Sequence, residues 1–241
     1  FKMKKKYKVL CIIPARGGSK GLKLKNLRKV CGKPLIYYPI SAAKKSKACD
    51  KILVSTDSKI IAKEAQKIGA EVPFLRKKNF SGDFVTTEKT LQNALLEAEK
   101  FYKAKFDICV FLTCTNLFRQ SSWITEAVNI LKKNNHIDSA FSVHEFYKHV
   151  WHKEGKKFKK VSKWMRSYTS RQVGQRLYRE DTGLASATRA KFWRKGKRIG
   201  KKVSFIINNE PFTGIDIHTK QDLYLAEMAM RYAKKNKLID H

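Results

Sequence analysis

The sequence predicts an α/β fold, built on a mostly parallel sheet with helices on both faces. Two observations predict it. Short apolar runs alternate with amphipathic stretches from residue 7 to residue 144. Strands separated by helices need crossover connections, so they run parallel and are covered on both faces. The second observation is size: 241 residues, 42% of them hydrophobic, suit one large domain, or one domain carrying a smaller insertion.

The elements follow in order. Residues 7–14 (YKVLCIIP) read as a buried strand. Residues 34–47 read as a helix with Pro34 in its first turn. Residues 51–55 (KILVS) form a second strand. Residues 58–68 form a helix, with Ser58 as its cap and Gly69 just past its end. Residues 71–75 are a third strand. Leu91, Ala94, Leu95 and Ala98 give residues 86–102 helical spacing. Residues 108–112 (ICVFL) are a fourth strand, 122–133 a helix and 139–144 a fifth strand. The rhythm then breaks. Residues 145–180 are aromatic, basic and irregular, and read as an insertion. It returns with 203–207, a turn, 214–217 and a closing helix at 221–234. The division is therefore 1–144 with 181–241 as the α/β domain, and 145–180 as the insertion. Ligands of such sheets bind beyond the carboxyl ends of the strands. The loops after Pro14, Ser55, Leu75 and Leu112 are the places to look.

Charge is the unusual feature. Lys and Arg number 53 against 20 Asp and Glu, a net charge of +33. Such a charge attracts polyanions, so a nucleic-acid-binding protein is the alternative from another class. Most lysines fall in ones and twos on expected helices, as on solvated faces, which leaves non-specific binding as the expectation. Residues 144–202 are denser, with 19 Lys and Arg against four acidic residues. No apolar run reaches the roughly 18–20 residues of a membrane span. Residues 7–14 are too short for a secretory leader and lack its cleavage pattern. Cys11, Cys31, Cys49, Cys109 and Cys114 are scattered, with no CxxC pair. They argue against a disulfide framework or structural zinc, and for a reducing compartment, the cytoplasm.

The most informative segment is 14–26 (PARGGSKGLKLKN), which leaves the first strand directly. Gly17, Gly18 and Gly21 let backbone approach a ligand and aim N–H groups at anions. Arg16, Lys20 and Lys25 add fixed positive charge, and the set suits a polyphosphate. The glycine spacing is neither that of a Walker A loop nor of GxGxxG. Near the C-terminus, Asp216 sits in GIDIH, a hard oxygen ligand of the kind Mg²⁺ takes together with substrate phosphates.

Ile13 to Gly21, Lys25-Asn26, Gly32-Lys33-Pro34-Leu35 and Val54-Ser55-Thr56-Asp57 resemble, in order, the acylneuraminate cytidylyltransferases and their legionaminic and pseudaminic acid relatives. Gly69-Ala70-Glu71-Val72 with Arg76, Arg171-Gln172 with Arg179, and Ile215-Asp216-Ile217 continue the resemblance along nearly the whole chain. It implies a Rossmann-like sheet of the nucleotide-diphospho-sugar transferase type, with the insertion serving dimerisation. It implies transfer of CMP from CTP to the anomeric hydroxyl of a sialic-acid-like 2-keto-3-deoxy sugar acid, with release of pyrophosphate. An acceptor such as 3-deoxy-octulosonate, or another nucleotide, is the alternative within the same fold.

The resemblance also assigns residues. Arg16, Gly17, Gly18, Ser19, Lys25, Asn26, Arg76 and Thr87 would hold the nucleotide. Arg16, Lys20, Lys25 and Asp216 would be catalytic, with Asp216 on Mg²⁺. Thr113, Arg171 and Arg179 would face the sugar, the two arginines toward its carboxylate. Two departures stand out. His218 replaces the second aspartate of the usual Asp-x-Asp pattern, and imidazole is a poor Mg²⁺ ligand. Thr113 replaces a glutamine, leaving more room for the acceptor.

Overall fold

The computed structural model describes residues 6–19, 21–161 and 176–240. Its centre is one sheet in the order β11-β6-β10-β5-β1-β4, with β9 also paired to β6. The strands are β1 (Val9–Pro14), β4 (Lys51–Ser55), β5 (Ile108–Phe111), β6 (Ser139–Phe146), β9 (Leu177–Glu180), β10 (Ser186–Arg189) and β11 (Val203–Asn208). Two small hairpins stand apart: β2 (Lys29–Val30) with β3 (Lys33–Pro34), and β7 (Trp151–Glu154) with β8 (Lys157–Lys160).

Side chains on successive strand residues point to opposite faces, and β1 shows the consequence. Val9, Cys11 and Ile13 pack into one apolar cluster with α1 (Tyr37–Ser46), α2 (Lys59–Ile68), α4 (Ser121–Lys133) and α6 (Lys220–Lys235). Leu10 and Ile12 pack into a second cluster, with α3 (Thr87–Phe101) and α5 (Ala190–Arg194). A strand buried on both faces reads as a continuous apolar run, which is how 7–14 reads.

Several expected boundaries and caps match closely. Ser58 Oγ accepts from the Ile61 N–H at the start of α2, and the Gly69 N–H closes its end on the carbonyls of Ala65 and Gln66. Other expectations are corrected. Pro34 lies in β3, not in a helix; α1 begins at Tyr37, once the hairpin has ended. Residues 71–75 make only a bridge, Leu53 to Glu71, because the chain turns away toward the site after one pairing. Residues 214–217 are not a strand: a 3-10 turn spans Pro211–Gly214, and Ile215 hydrogen-bonds back to Phe212.

The sheet is mixed. β1 pairs in parallel with β4 and β5, and β11 with β6. β10 enters antiparallel between β5 and β6, and β9 is also antiparallel to β6. β10 and α5 carried no clear periodic signal in the sequence. The expected insertion, 145–180, opens and closes on strands of this sheet, since Glu145 pairs with Tyr178 and Val143 with Glu180. Between Val143↔Glu180 and Phe141↔Ser186 the ladder makes an excursion of residues 181–185 opposite Ser142. Asp181 N–H donates to the Ser142 carbonyl, and Ser142 N–H to the Ala185 carbonyl, so both ends of the excursion are pinned. Such irregularities re-aim side chains beside functional sites.

An ionic cluster centred on the buried Glu99 joins α3 to α5. Arg194 donates to both carboxylate oxygens of Glu99, Lys105 Nζ donates to Oε2 at 2.9 Å, and the Phe106 N–H donates to Oε1 at 3.1 Å. Burial pushes the Glu99 carboxyl up, but the bonds from Arg194, Lys105 and Phe106 outweigh it and hold it below its ordinary 4.5. A depressed carboxylate stabilises the fold above its unfolded-state value, and loses that contribution as pH falls through the folded value. Glu99→Gln is expected to cost about 3 kcal/mol at neutral pH, since it leaves Arg194 without its carboxylate. Denaturant titrations of both proteins should show the gap narrowing as pH drops below 4.5.

Candidate active site

Parallel pairing of β1 with β4 and β5 brings the loops after Pro14, Ser55 and Phe111 to one edge of the sheet. A cavity of about 630 Å³ lies there, lined by Arg16, Ser19, Lys25, Asn26, Arg76 and Thr87 among others. This is within the size range of small-ligand sites. A smaller cavity of about 260 Å³ adjoins it and contains Asn116, Arg179, Asp181, Gly183, Gly214 and Asp216. Thr113 lines the larger and Asn116 the smaller, and Thr113 Oγ1 donates to Asn116 Oδ1 at 2.6 Å. These two side chains are the shared wall.

The first loop is held by its own backbone and by β4. Ala15 N–H donates to the Ser55 carbonyl, and Gly17 N–H to Asp57 Oδ1 at 2.8 Å. Gly17 is thus tied to Asp57, and neither it nor Gly18 lines the cavity; Ser19 and Gly21 do. Asn26 Nδ2 donates to the Arg16 carbonyl at 3.0 Å, which folds the loop back on itself. Arg16 Nη1 pairs with Asp83 Oδ1 at 2.8 Å. Gly21 meets the C-terminal segment: a Cβ there would lie 2.5 Å from the His218 carbonyl oxygen, so no larger residue fits without a shift. Lys20 lies outside the described residues.

Lys25 lines the larger cavity and is tied to the segment that carries Asp216. Its Nζ donates to the Ile217 carbonyl at 2.9 Å. Burial lowers its pKa from the ordinary value, while the charge of nearby Asp216 works the other way. Asp216 lines the smaller cavity, not the larger; its Oδ2 is 2.9 Å from His218 Nε2, and His218 lines the larger. Arg16 and Asp216 therefore lie on one face of the molecule, across a common wall. For a divalent cation the pair offers one hard oxygen donor. Among the described residues no group of three or more His, Cys, Asp or Glu side chains gathers as a ready-made metal site. A single carboxylate fits Mg²⁺ when the substrate's phosphates complete the shell.

Arg76 is the most telling side chain. It is 7% exposed and lines the larger cavity, yet Nε and Nη2 have no hydrogen-bond partner. Burial lowers its pKa, with Asp57 opposing and Arg16 adding to the effect. Leaving a buried guanidinium unpaired costs several kcal/mol in a completed structure. Thr87 is the first residue of α3 and lines the cavity, but the cap is Thr86, whose side chain accepts from Lys89 N–H.

The sequence assigned no role to Arg119 or Asp83, whereas Glu180-Asp181-Thr182-Gly183 departs from the family's shorter Asn-Gly stretch beside the sugar site. Arg119 is fully buried and donates to the carbonyls of Thr113, Gly183 and Leu184 at 2.7–3.0 Å. It clips the loop after β5 to the excursion before β10. Burial brings its pKa down to about 10. Arg179 pairs with Asp181 through Nε and Nη2, both at 2.8 Å. Arg171, its expected companion, lies outside the described residues. The available signal was position: Asp57 and Arg119 both follow strands of the parallel group.

Arg76→Met should leave the unfolding temperature of the ligand-free protein unchanged or raised, because an unpaired buried charge is removed. The same variant should lose most of the stabilisation that a nucleoside triphosphate gives the wild type, read by thermal unfolding with and without ligand.

The chain matches the family described as Cytidylyltransferase over residues 10–236. It is 30% identical over 227 residues to the post-translational flagellin modification protein B of Campylobacter coli, covering 92% of this chain and 95% of that protein. It is 42% identical over 125 residues to the CMP-N,N'-diacetyllegionaminic acid synthase of Legionella pneumophila, covering 52% of this chain and 53% of that one. Its alignment to the pseudaminic acid cytidylyltransferase of Campylobacter jejuni is 48% identical over 88 residues, 36% of this chain and 38% of that one. The last two matches thus span about half or less of those relatives' lengths. Among solved structures, CMP:2-keto-3-deoxy-manno-octonic acid synthetase complexed with CTP superposes with a TM-score of 0.68 at 16% identity, over 93% of this chain and 99% of that one. At that identity the likeness is one of fold. The family match runs from the opening strand to the closing helix, through both cavities, and the chain belongs to the cytidylyltransferase family.

Proposed function

We propose that the protein transfers CMP from CTP to a sialic-acid-like 2-keto-3-deoxy sugar acid and releases pyrophosphate. One observation carries the reading. A basic cavity of nucleotide size shares a wall with a smaller one lined by Arg179 and by the carboxylates of Glu180, Asp181 and Asp216. In this reading the triphosphate lies along Arg16, Ser19 and Lys25, with Lys20 as a further cation. Asn26, Arg76 and Thr87 face the rest of the nucleotide, and Gly17 and Gly18 shape the loop that carries these groups. The acceptor enters the smaller cavity past Thr113, with its carboxylate on Arg179 and Arg171.

The anomeric oxygen forms a bond to the α-phosphorus, the bond from that phosphorus to the pyrophosphate oxygen breaks, and the hydroxyl proton is released. The chain's own part is to align the two substrates across the wall and to neutralise phosphate charge. Lys25 suits both tasks, because it touches the nucleotide cavity and is tied to the segment carrying Asp216. Mg²⁺ held by Asp216 and the phosphates would supply further charge neutralisation. His218 then orients Asp216 instead of binding the metal itself.

A homodimer and a cytoplasmic location belong to the same reading. Trp151 and Phe158 are exposed on the β7–β8 hairpin, and Val203, Phe205 and Ile207 on the edge strand β11. Tyr178 extends that patch, its ring 6.2 Å from Phe205. Contiguous apolar surface of this kind favours self-association. All five cysteines are free thiols, in keeping with a reducing compartment. Among the described residues no helix is long and apolar enough to cross a membrane.

A pyrophosphate-release screen should cross four nucleoside triphosphates with N-acetylneuraminate, N,N'-diacetyllegionaminate, pseudaminate and 3-deoxy-manno-octulosonate. CTP with one of the nine-carbon acids, in the presence of Mg²⁺, is the expected pair. Arg16→Ala should lower kcat/KM on the order of 10²–10³-fold while the protein stays folded by circular dichroism. Full activity of that variant would refute the site assignment. Light scattering should show a dimer for the wild type, and a monomer for Phe205→Glu.

A further inference from the structure

Arg179 is engaged on one edge only. Asp181 takes Nε and Nη2 side-on, with both bonds at 2.8 Å. The Nη1 amine and one N–H of Nη2 remain, and together they form the second, end-on edge of the guanidinium. A planar guanidinium offers its donors in pairs, so one carboxylate on the side edge leaves a bidentate place on the other. That remaining edge faces Gly214: a Cβ built there would lie 3.3 Å from Nη1 and 3.9 Å from Nη2. Asp181 and Gly214 both line the smaller cavity, as do Asp216 and Glu180, the last of which is paired with Arg198.

The carboxylate of Asp181 is itself well placed to hold. Its side chain is 11% exposed, against 44% for that of Arg179, so the anchor is the more fixed partner. Its backbone N–H is pinned to the Ser142 carbonyl at the start of the 181–185 excursion. Arg119 grips the same excursion from below, through the carbonyls of Gly183 and Leu184. A long, half-exposed arginine has many rotamers, and freezing them on binding weakens affinity. A carboxylate that fixes the guanidinium beforehand removes that cost.

We propose that Asp181 is a positioning residue for acceptor recognition. It holds Arg179 side-on so that the Nη1 edge, against which Gly214 presents no side chain, receives the carboxylate of the sugar acid. The inference rests on the acceptor reading given above. Asp181 never touches the substrate in this arrangement, and acts only through Arg179.

Steady-state pyrophosphate release tests it, with CTP, Mg²⁺ and whichever of the four acids named above turns over fastest with the wild type. Asp181→Asn should raise KM for the acid about tenfold, the loss expected for a charge-assisted pair. KM for CTP should not change, and kcat should stay within about twofold. Gly214→Ala, which leaves the Arg179–Asp181 pair intact and crowds only the open edge, should raise KM for the acid in the same way. Arg179→Lys should be as poor as Arg179→Ala, because an ammonium has no second edge. If Asp181→Asn is folded and its KM for the acid is unchanged or lower while Arg179→Ala raises it, the positioning role is overturned and Asp181 is at most a competitor for Arg179. If Arg179→Ala also leaves that KM unchanged, or if none of the four acids turns over, the acceptor reading itself falls, and the proposal with it. Should Asp181→Asn fail to fold, Gly214→Ala alone decides: an unchanged KM for the acid refutes an open edge there.

Discussion

The parallel alignment of β1 between β4 and β5 is the constraint from which the site follows. Parallel neighbours end on the same side of a sheet, so three separate loops must meet where the three strands stop. The first brings the basic loop, the second Asp57, and the third the Thr113–Asn116 wall. β1 can occupy that central place because it is apolar on both faces, and two helical layers cover it. The position of Arg16 or Thr113 is therefore a consequence of burying Leu10, Cys11 and Ile12.

A second theme is how the fold treats its guanidinium groups. Four arginines around the cavities are held in four different ways. Arg16 pairs with Asp83, Arg179 with Asp181, and Arg119 with three backbone carbonyls. Arg76 and Arg119 are both buried with donors left over, Nε and Nη2 in the first and Nη1 in the second. Of the four, only Arg16 and Arg179 are balanced by a carboxylate of the chain. Arg76 differs from Arg119 in lining the larger cavity, so its imbalance borders that space. With a net charge of +33, general attraction for anions is available everywhere on the surface. What marks the site is desolvation, which makes one unpaired charge count for more than many solvated lysines.

Much of the fold was legible, and the reasons are local. The runs at 51–55 and 108–112 are apolar and strand-length, and Ser58 and Gly69 bracket α2 by capping chemistry that depends only on nearby backbone. The failures share another cause. Pro34 is as compatible with a strand end as with a first helical turn, and only the β2–β3 pairing decides between them. β10 has little of its own to announce it; its place comes from β5 on one side and β6 on the other. Residues 71–75 look like a strand but have a neighbour for only one bridge.

The sequence by itself determined the class of the fold, the basic, glycine-rich character of the first loop and the family resemblance, because these depend on periodicity, charge and short-range spacing. Tertiary structure decided what those residues touch. It tied Gly17 to Asp57, placed Asp216 behind the wall from Arg16, buried Arg119 as a clip and left Arg76 unpaired. It also set Asp181 against Arg179 through a five-residue excursion defined only by pairing with β6. Arg179 and Asp181 are only two residues apart, but the contacts of Gly17 with Asp57 and of Arg119 with Leu184 span 40 and 65 residues, are fixed by how the layers pack, and have no local pattern in the sequence to encode them.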